Sequence, residues 1–293
     1  MYEENIMNKA KKLSELIHRP EATFFMEAHN ALSAKIAEEA GFEALWASGL
    51  SISASMGVSD RNEISWTQVV ELVEFMADHT HLPILIDGDT GFGNFNNVRR
   101  LVKKLSQKGI AGICLEDKLF PKLNSFLGEE QTLATIPEFC GKIKAAKDSQ
   151  LDVNFCVVAR TEALISGKSM DEALERAESF YEAGADAILI HSKKKTGDEV
   201  IEFGKIWNKR CPVIIVPTQY YQTSTSDFIE AGINNIIWAN HSLRASIAAM
   251  RKVTKTIWAE KSVASIEKDI ASLHDVFSLT NEFEVQEAEK KYA

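Results

Sequence analysis

The chain has 293 residues, 45% of them hydrophobic and 26% charged, with a formal net charge of −9. This is ordinary globular composition, and the length suits one α/β barrel as well as two smaller domains. The acidic balance argues against a nucleic-acid or membrane-surface binder, because nothing in it attracts a phosphate backbone or an anionic lipid. No window reads as a membrane-spanning helix. The first 19 residues carry Glu3, Glu4 and Glu15 among their lysines and lack an apolar centre, so they do not read as a signal peptide. The four cysteines are scattered without metal-ligand spacing, and Cys114 and Cys156 sit in apolar runs as core thiols. A reduced, cytoplasmic compartment is the expectation.

Eight short apolar runs follow one another: residues 22–28, 44–48, 83–86, 111–115, 155–159, 187–190, 212–216 and 235–239. They are rich in β-branched and aromatic residues without strict alternation, as strands buried on both faces are. Helical patterns lie between them, over 30–40, 67–78, 96–108, 171–182 and 226–231. Several end at a glycine before the next strand, at Gly41, Gly109, Gly184 and Gly232. A glycine there supplies the left-handed cap. Eight strand–helix units predict a closed (β/α)8 TIM-type barrel, whereas an open doubly wound sheet would need no eighth strand. There is no linker or low-complexity tract, so residues 1–293 read as a single barrel domain. Residues 242–293 form a helical C-terminal surplus, either a cap on the barrel or an arm packing on a partner subunit.

The chemistry concentrates where strands end. Trp46-Ala47-Ser48-Gly49-Leu50 closes the second strand; Ser48 and Gly49 could present N–H groups to a carboxylate, and Trp46 either walls a pocket or is core. Asp60 lies in a polar stretch before a helix, where an aspartate commonly caps or pairs with a neighbour such as Arg61. Asp87 and Asp89, two residues apart, share a face of an extended segment, and the next strand brings Glu116 and Asp117 alongside. Carboxylates clustered in this way repel unless a cation joins them, and oxygen-only ligands suit Mg²⁺ or Mn²⁺. Gly91-Phe92-Gly93-Asn94 reads as a tight turn, since no Lys-Ser/Thr follows as a phosphate loop requires.

Cationic groups follow. Arg160 ends the fifth strand and either grips an anion or pairs with Glu162. His191 ends the sixth, and Asn240-His241 ends the eighth, lining a site or capping the next helix. Lys193-Lys194-Lys195 reads as a solvated run.

The segment from Glu116 to Ser125, Glu-Asp-Lys-Leu-Phe-Pro-Lys-x-Asn-Ser, resembles the gating loop of the phosphoenolpyruvate mutase family, within the isocitrate lyase/phosphoenolpyruvate mutase superfamily. Residues 25–30, 46–50, 87–94, 191–194 and 238–241 extend the resemblance along nearly the whole chain. It implies a barrel whose last helix is exchanged between subunits of a homo-oligomer, a dimer of dimers. It implies Mg²⁺ held directly by Asp87, with Asp89 and Glu116 acting through waters. Ser48 and Gly49 would bind a pyruvyl carboxylate. Arg160, His191, Asn124 and Ser125 would surround a phosphoryl group, Lys122 would close over it, and Asp60 matches an aspartate needed for activity. The implied reaction interconverts phosphoenolpyruvate and phosphonopyruvate, forming the P–C bond of phosphonate biosynthesis through an enolate and a metaphosphate-like fragment. The carbon–carbon lyases of the superfamily carry a cysteine in this loop, and this chain has none. The phosphonopyruvate hydrolases, the alternative, have Thr where this chain has Asn124.

Overall fold

Short, fully buried parallel strands leave no edge for water only if the sheet closes on itself. The computed structural model, which describes residues 8–122 and 132–293, shows that closure. The strands are β1 (Thr23–Ala28), β2 (Ala44–Ala47), β3 (Ile84–Asp87), β4 (Gly112–Glu116), β5 (Cys156–Thr161), β6 (Ala187–Ile190), β7 (Val213–Ile215) and β8 (Asn235–Trp238). Each pairs in parallel with the next, and β8 returns to β1 with Phe25 opposite Ile237. The (β/α)8 expectation holds, with strand limits within a residue or two of the apolar runs.

The helices in chain order are α1 (Lys9–His18), α2 (Ala31–Glu39), α3 (Gly49–Ser55), α4 (Trp66–His79), α5 (Phe95–Gln107), α6 (Ile136–Lys147), α7 (Met170–Glu182), α8 (Asp198–Trp207), α9 (Thr225–Glu230), α10 (His241–Glu260), α11 (Leu273–Leu279) and α12 (Glu282–Tyr292). Gly41, Gly109, Gly184 and Gly232 all have positive φ, between 71° and 105°, as helix-ending glycines should.

Side chains on each strand alternate between two apolar layers. The inner layer includes Phe25, Trp46, Leu85, Cys114, Val158, Leu189, Ile214 and Ile237, and Leu13, Leu16 and Ile17 of α1 pack into it. The hydroxyl of Thr23 donates to Leu16 O, and the Asn235 amide to Ile17 O, which ties α1 to the start of β1 and β8. The outer layer joins strands to helices and is the larger of the two. Cys114 and Cys156 are buried as expected, and no disulfide forms.

By internal contacts the chain divides into two units, Met1–Asn240 and His241–Ala293. The first is the barrel through β8. The second holds α10, α11 and α12, and large apolar side chains such as Trp258, Leu273, Val276, Phe283 and Tyr292 are exposed on it. No helix among the described residues is long and apolar enough to cross a membrane.

Candidate active site

Continuing the inward alternation past the apolar layer brings polar residues to the carboxyl ends of the strands. One pocket there, with about 530 Å³ of space partly open to solvent, is lined by Trp46, Ser48, Asp60, Asp87, Glu116, Lys118, Lys122, Arg160, His191 and Asn240, among others. The strand ends and the segments after them thus supply carboxylates (Asp60, Asp87, Glu116) and a cationic side (Lys118, Arg160, His191), which Glu116 borders at 3.5 Å from Arg160. Trp46, 2% exposed, is both inner core and pocket wall.

The carboxylates gather around Lys122. Its Nζ lies 2.5 Å from Asp89 Oδ1 and 2.7 Å from Asp60 Oδ1. Asp60 therefore pairs with a residue distant in sequence, where local pattern points to a neighbour such as Arg61. Burial, with Asp87, Glu116 and Asp60 nearby, outweighs Lys122 and pushes Asp89 up to about 7. Burial pulls the Lys122 ammonium down, but the surrounding Asp89, Asp87, Asp60 and Glu116 hold it well above its ordinary value. Burial likewise raises Glu116, against the pull of Lys118 and Arg160.

The cationic side is organised by Glu162, a residue that local reading treated only as a competitor for Arg160. Its carboxylate lies 2.5 Å from Arg160 Nε, 2.9 Å from His191 Nδ1 and 3.0 Å from Lys118 Nζ. Burial opposes its ionisation, yet Arg160, His191 and Lys118 together hold Glu162 well below the usual carboxylate range. Arg160 therefore does both things expected of it: it pairs with Glu162 and lines the pocket. His191 Nδ1 is also 2.9 Å from Arg160 Nη2. One nitrogen cannot donate to Glu162 and accept from Arg160 at once, and the ionised Glu162 selects Nδ1–H. Burial and then the Arg160 charge lower the His191 pKa.

Lys118 and Glu162 are the site residues that sequence reasoning missed. The signal for Lys118 was its place in the Glu-Asp-Lys run, two residues past Glu116 on the same face of an extended chain. Asp117, expected beside Glu116, belongs elsewhere. Adjacent residues of a strand face opposite sides, and the Asp117 carboxylate accepts from Glu162 N–H, the Thr161 hydroxyl and Arg176. It fastens α7 behind the sheet.

Ser48 departs in detail from a simple anion nest: its N–H donates to Ala28 O at 3.3 Å and its hydroxyl caps α3. Gly49 begins α3, where N–H groups have no intrahelical acceptor. A Cβ at Gly49 would stand 3.2 Å from Asp87 Oδ2 and 3.3 Å from Asp89 Oδ1, so this glycine lets the backbone approach both carboxylates. Gly91 and Gly93 sit at positive φ in the turn that leads to the Asn94 cap of α5, as expected. Lys193, Lys194 and Lys195 are exposed, as a solvated run should be. Asn240 lines the pocket, and His241 opens α10. Asn124 and Ser125 lie outside the described residues.

The donor set fits a hard divalent cation. Asp87, Asp89 and Glu116 offer only oxygen, and the buried Glu116 Oε1 accepts no hydrogen bond, its nearest cation being Lys118 Nζ at 3.7 Å. Among the described residues no three His, Cys, Asp or Glu side chains already converge as ligands, and the ammonium of Lys122 bridges Asp60 and Asp89.

Residues 13–258 match the family model described as phosphoenolpyruvate phosphomutase. The chain is 54% identical over 285 residues to a phosphoenolpyruvate phosphomutase of Tetrahymena pyriformis, covering 97% of this chain and 95% of the relative. Among solved structures, a phosphoenolpyruvate phosphomutase from Streptomyces platensis subsp. rosaceus superposes with a TM-score of 0.95 at 44% identity, over 97% of this chain and 99% of that one. A phosphonopyruvate hydrolase solved in complex with oxalate and Mg²⁺ has a TM-score of 0.92 at 37% identity, over 98% and 99% of the two chains. The match spans the barrel and the strand-end residues that build the pocket, and the chain belongs to the phosphoenolpyruvate phosphomutase family.

Proposed function

We propose that this chain is an isomerase that interconverts phosphoenolpyruvate and phosphonopyruvate. The phosphoryl group moves between the enol oxygen and the neighbouring carbon of the same pyruvyl skeleton, so the reaction is an intramolecular phosphotransfer. The observation that carries this reading is one pocket that gathers the carboxylates Asp60, Asp87 and Glu116 with the basic groups Lys118, Lys122, Arg160 and His191, in a chain of this family. Such a pocket suits a small molecule with an anionic group at each end, held at both while charge moves between them.

Arg160 and His191, on adjacent strands and oriented by Glu162, are assigned to the phosphoryl oxygens, with Lys118 adding positive charge behind them. A loose phosphoryl-transfer transition state spreads charge over those oxygens, and fixed cations in a water-poor site stabilise it. Gly49 and the Ser48 rim, beside Trp46, are assigned to the pyruvyl carboxylate. Asp87 would hold Mg²⁺, or Mn²⁺ in its place, with Asp89 and Glu116 supporting it through waters; when bound, the ion would supply positive charge next to a developing enolate oxygen. Lys122 pairs with Asp60 and Asp89 among the carboxylates, and this ammonium–carboxylate cluster is assigned to orienting the migrating group. Asn124 and Ser125 are assigned to further contacts with the phosphoryl group. Holding both fragments in place favours recapture at carbon over escape to water.

The test is incubation with phosphonopyruvate and Mg²⁺, followed by phosphorus NMR. Conversion to phosphoenolpyruvate is expected. Free phosphate would make the chain a hydrolase, and an unchanged spectrum would remove the activity.

We also propose that residues 242–293 pack on a partner subunit, with the last barrel helix exchanged in a dimer of dimers. The exposed apolar side chains of α10, α11 and α12 support this reading. Light scattering on the eluting peak should give four chains; a monomer would overturn it.

A further inference from the structure

Asn62 is half-buried and uses both ends of its carboxamide on groups far away in the chain. Its Nδ2–H donates to Asp89 Oδ2 at 2.7 Å, and its Oδ1 accepts the main-chain N–H of Lys122 at 2.8 Å. The chemistry fixes which end is which, because an N–H needs the oxygen and a carboxylate oxygen needs the amide hydrogen. Asn62 has φ 58°, in the left-handed region that Asn, Asp and Gly adopt with least strain. The turn carrying it is tied down at both sides: Arg61 N–H donates to Ser59 O, and Ser59 N–H to Glu63 Oε2.

Lys122 is consequently fixed at two points. Its backbone is held by Asn62, and its ammonium by Asp60 and Asp89. Asn62 also holds the second oxygen of that same Asp89. We propose that Asn62 is a positioning residue, a carboxamide bridge that sets the Lys122 ammonium against Asp60 and Asp89. The proposal rests on Lys122 and Asp89 belonging to the active site. A carboxamide is the one side chain of this length that serves an N–H and a carboxylate together. An aspartate would keep the first contact and repel the second, and a glycine would lose both while keeping the backbone conformation.

Those two variants form the experiment. Each is read by its melting temperature, by the rate of tryptic cleavage after Lys122 followed by mass spectrometry, and by kcat and KM for phosphonopyruvate. In Asn62→Gly, cleavage after Lys122 should accelerate about tenfold, and kcat should fall by roughly ten- to a hundredfold with little change in KM. In Asn62→Asp, the Lys122 N–H regains its acceptor, so protection from trypsin should return while kcat stays low. Wild-type cleavage and turnover in Asn62→Gly, or equal loss of protection in both variants, would overturn the proposal. If the wild-type chain converted no phosphonopyruvate, the activity reading would fall, and the cleavage comparison alone would decide the contact.

Discussion

Lys122 and Asp89 form an ion pair with Nζ 2.5 Å from Oδ1 and both side chains all but buried. Burial costs each ion its hydration, so the pair persists only because Asp60 and Asn62 satisfy the remaining groups. The pair joins the strand end that carries Asp87 and Asp89 to the segment that follows β4. Removing either partner would leave the other charge buried and uncompensated, so both folding and chemistry should feel it.

Asp60 lines the pocket and pairs with Lys122. Asp60→Asn keeps the shape and a hydrogen-bonding oxygen for Lys122 but removes the charge. Turnover should fall by at least about a thousandfold, of the order a positioned charged group supplies. Affinity for Mn²⁺, read by titration calorimetry, should stay within a few-fold of wild type. Wild-type rates in this variant would take Asp60 out of the catalytic set.

Glu162 holds two cations and the His191 imidazole, and Glu162→Gln leaves Arg160, His191 and Lys118 facing one another without it. Breaking a buried ionic cluster on one side costs about 3 kcal/mol. Denaturant unfolding should show a loss of that order. Misplacing the phosphoryl-binding groups should also cost about a hundredfold in kcat/KM. A variant that loses stability and keeps kcat/KM would confine Glu162 to a structural role.

His191 supplies a pH signature. Burial and then Arg160 lower its folded pKa, so protonation is harder in the folded chain than in the unfolded one. Its contribution to stability is complete above the unfolded value of about 6.5 and is lost as pH falls below that value. Between pH 7.5 and 5, the melting temperature of wild type should fall more steeply than that of His191→Gln. Parallel curves would show that His191 does not titrate with unfolding.

The Gly49 backbone lies close to the carboxylates, and its substitution tests their placement. The Cβ of Gly49→Ala would press on Asp87 Oδ2 and Asp89 Oδ1, forcing a shift of a few tenths of an ångström. The concentration of Mg²⁺ needed for half-maximal activity should rise about tenfold, in keeping with disturbance of groups around a metal. The melting temperature should hardly move. An unchanged Mg²⁺ requirement would separate Gly49 from the metal site.

Much of the barrel is legible along the chain because its determinants are local. An apolar run, an amphipathic helix and a glycine that caps it each show within a dozen residues, and eight such units leave closure as the natural way to bury every edge. The strand-end carboxylates are legible for the same reason: Asp87, Asp89 and Glu116 stand directly after apolar runs. Asp117 reads together with Glu116, and the fold separates them: neighbours on a strand face opposite ways, and Asp117 reaches Arg176 instead.

Partnership across the barrel is different in kind. Asp60 reads as a neighbour of Arg61 and turns out to meet Lys122; Asn62 reads as part of the polar stretch around Asp60 and bridges Lys122 to Asp89; Glu162 reads as a rival for Arg160 and organises Arg160, Lys118 and His191 together. The sequence by itself determined which elements form, which face each buries and which side chains stand at the strand ends, because periodicity and capping act over a turn or a strand. The tertiary structure alone decided which charges face one another there, because closing the barrel brings together residues that no local spacing relates.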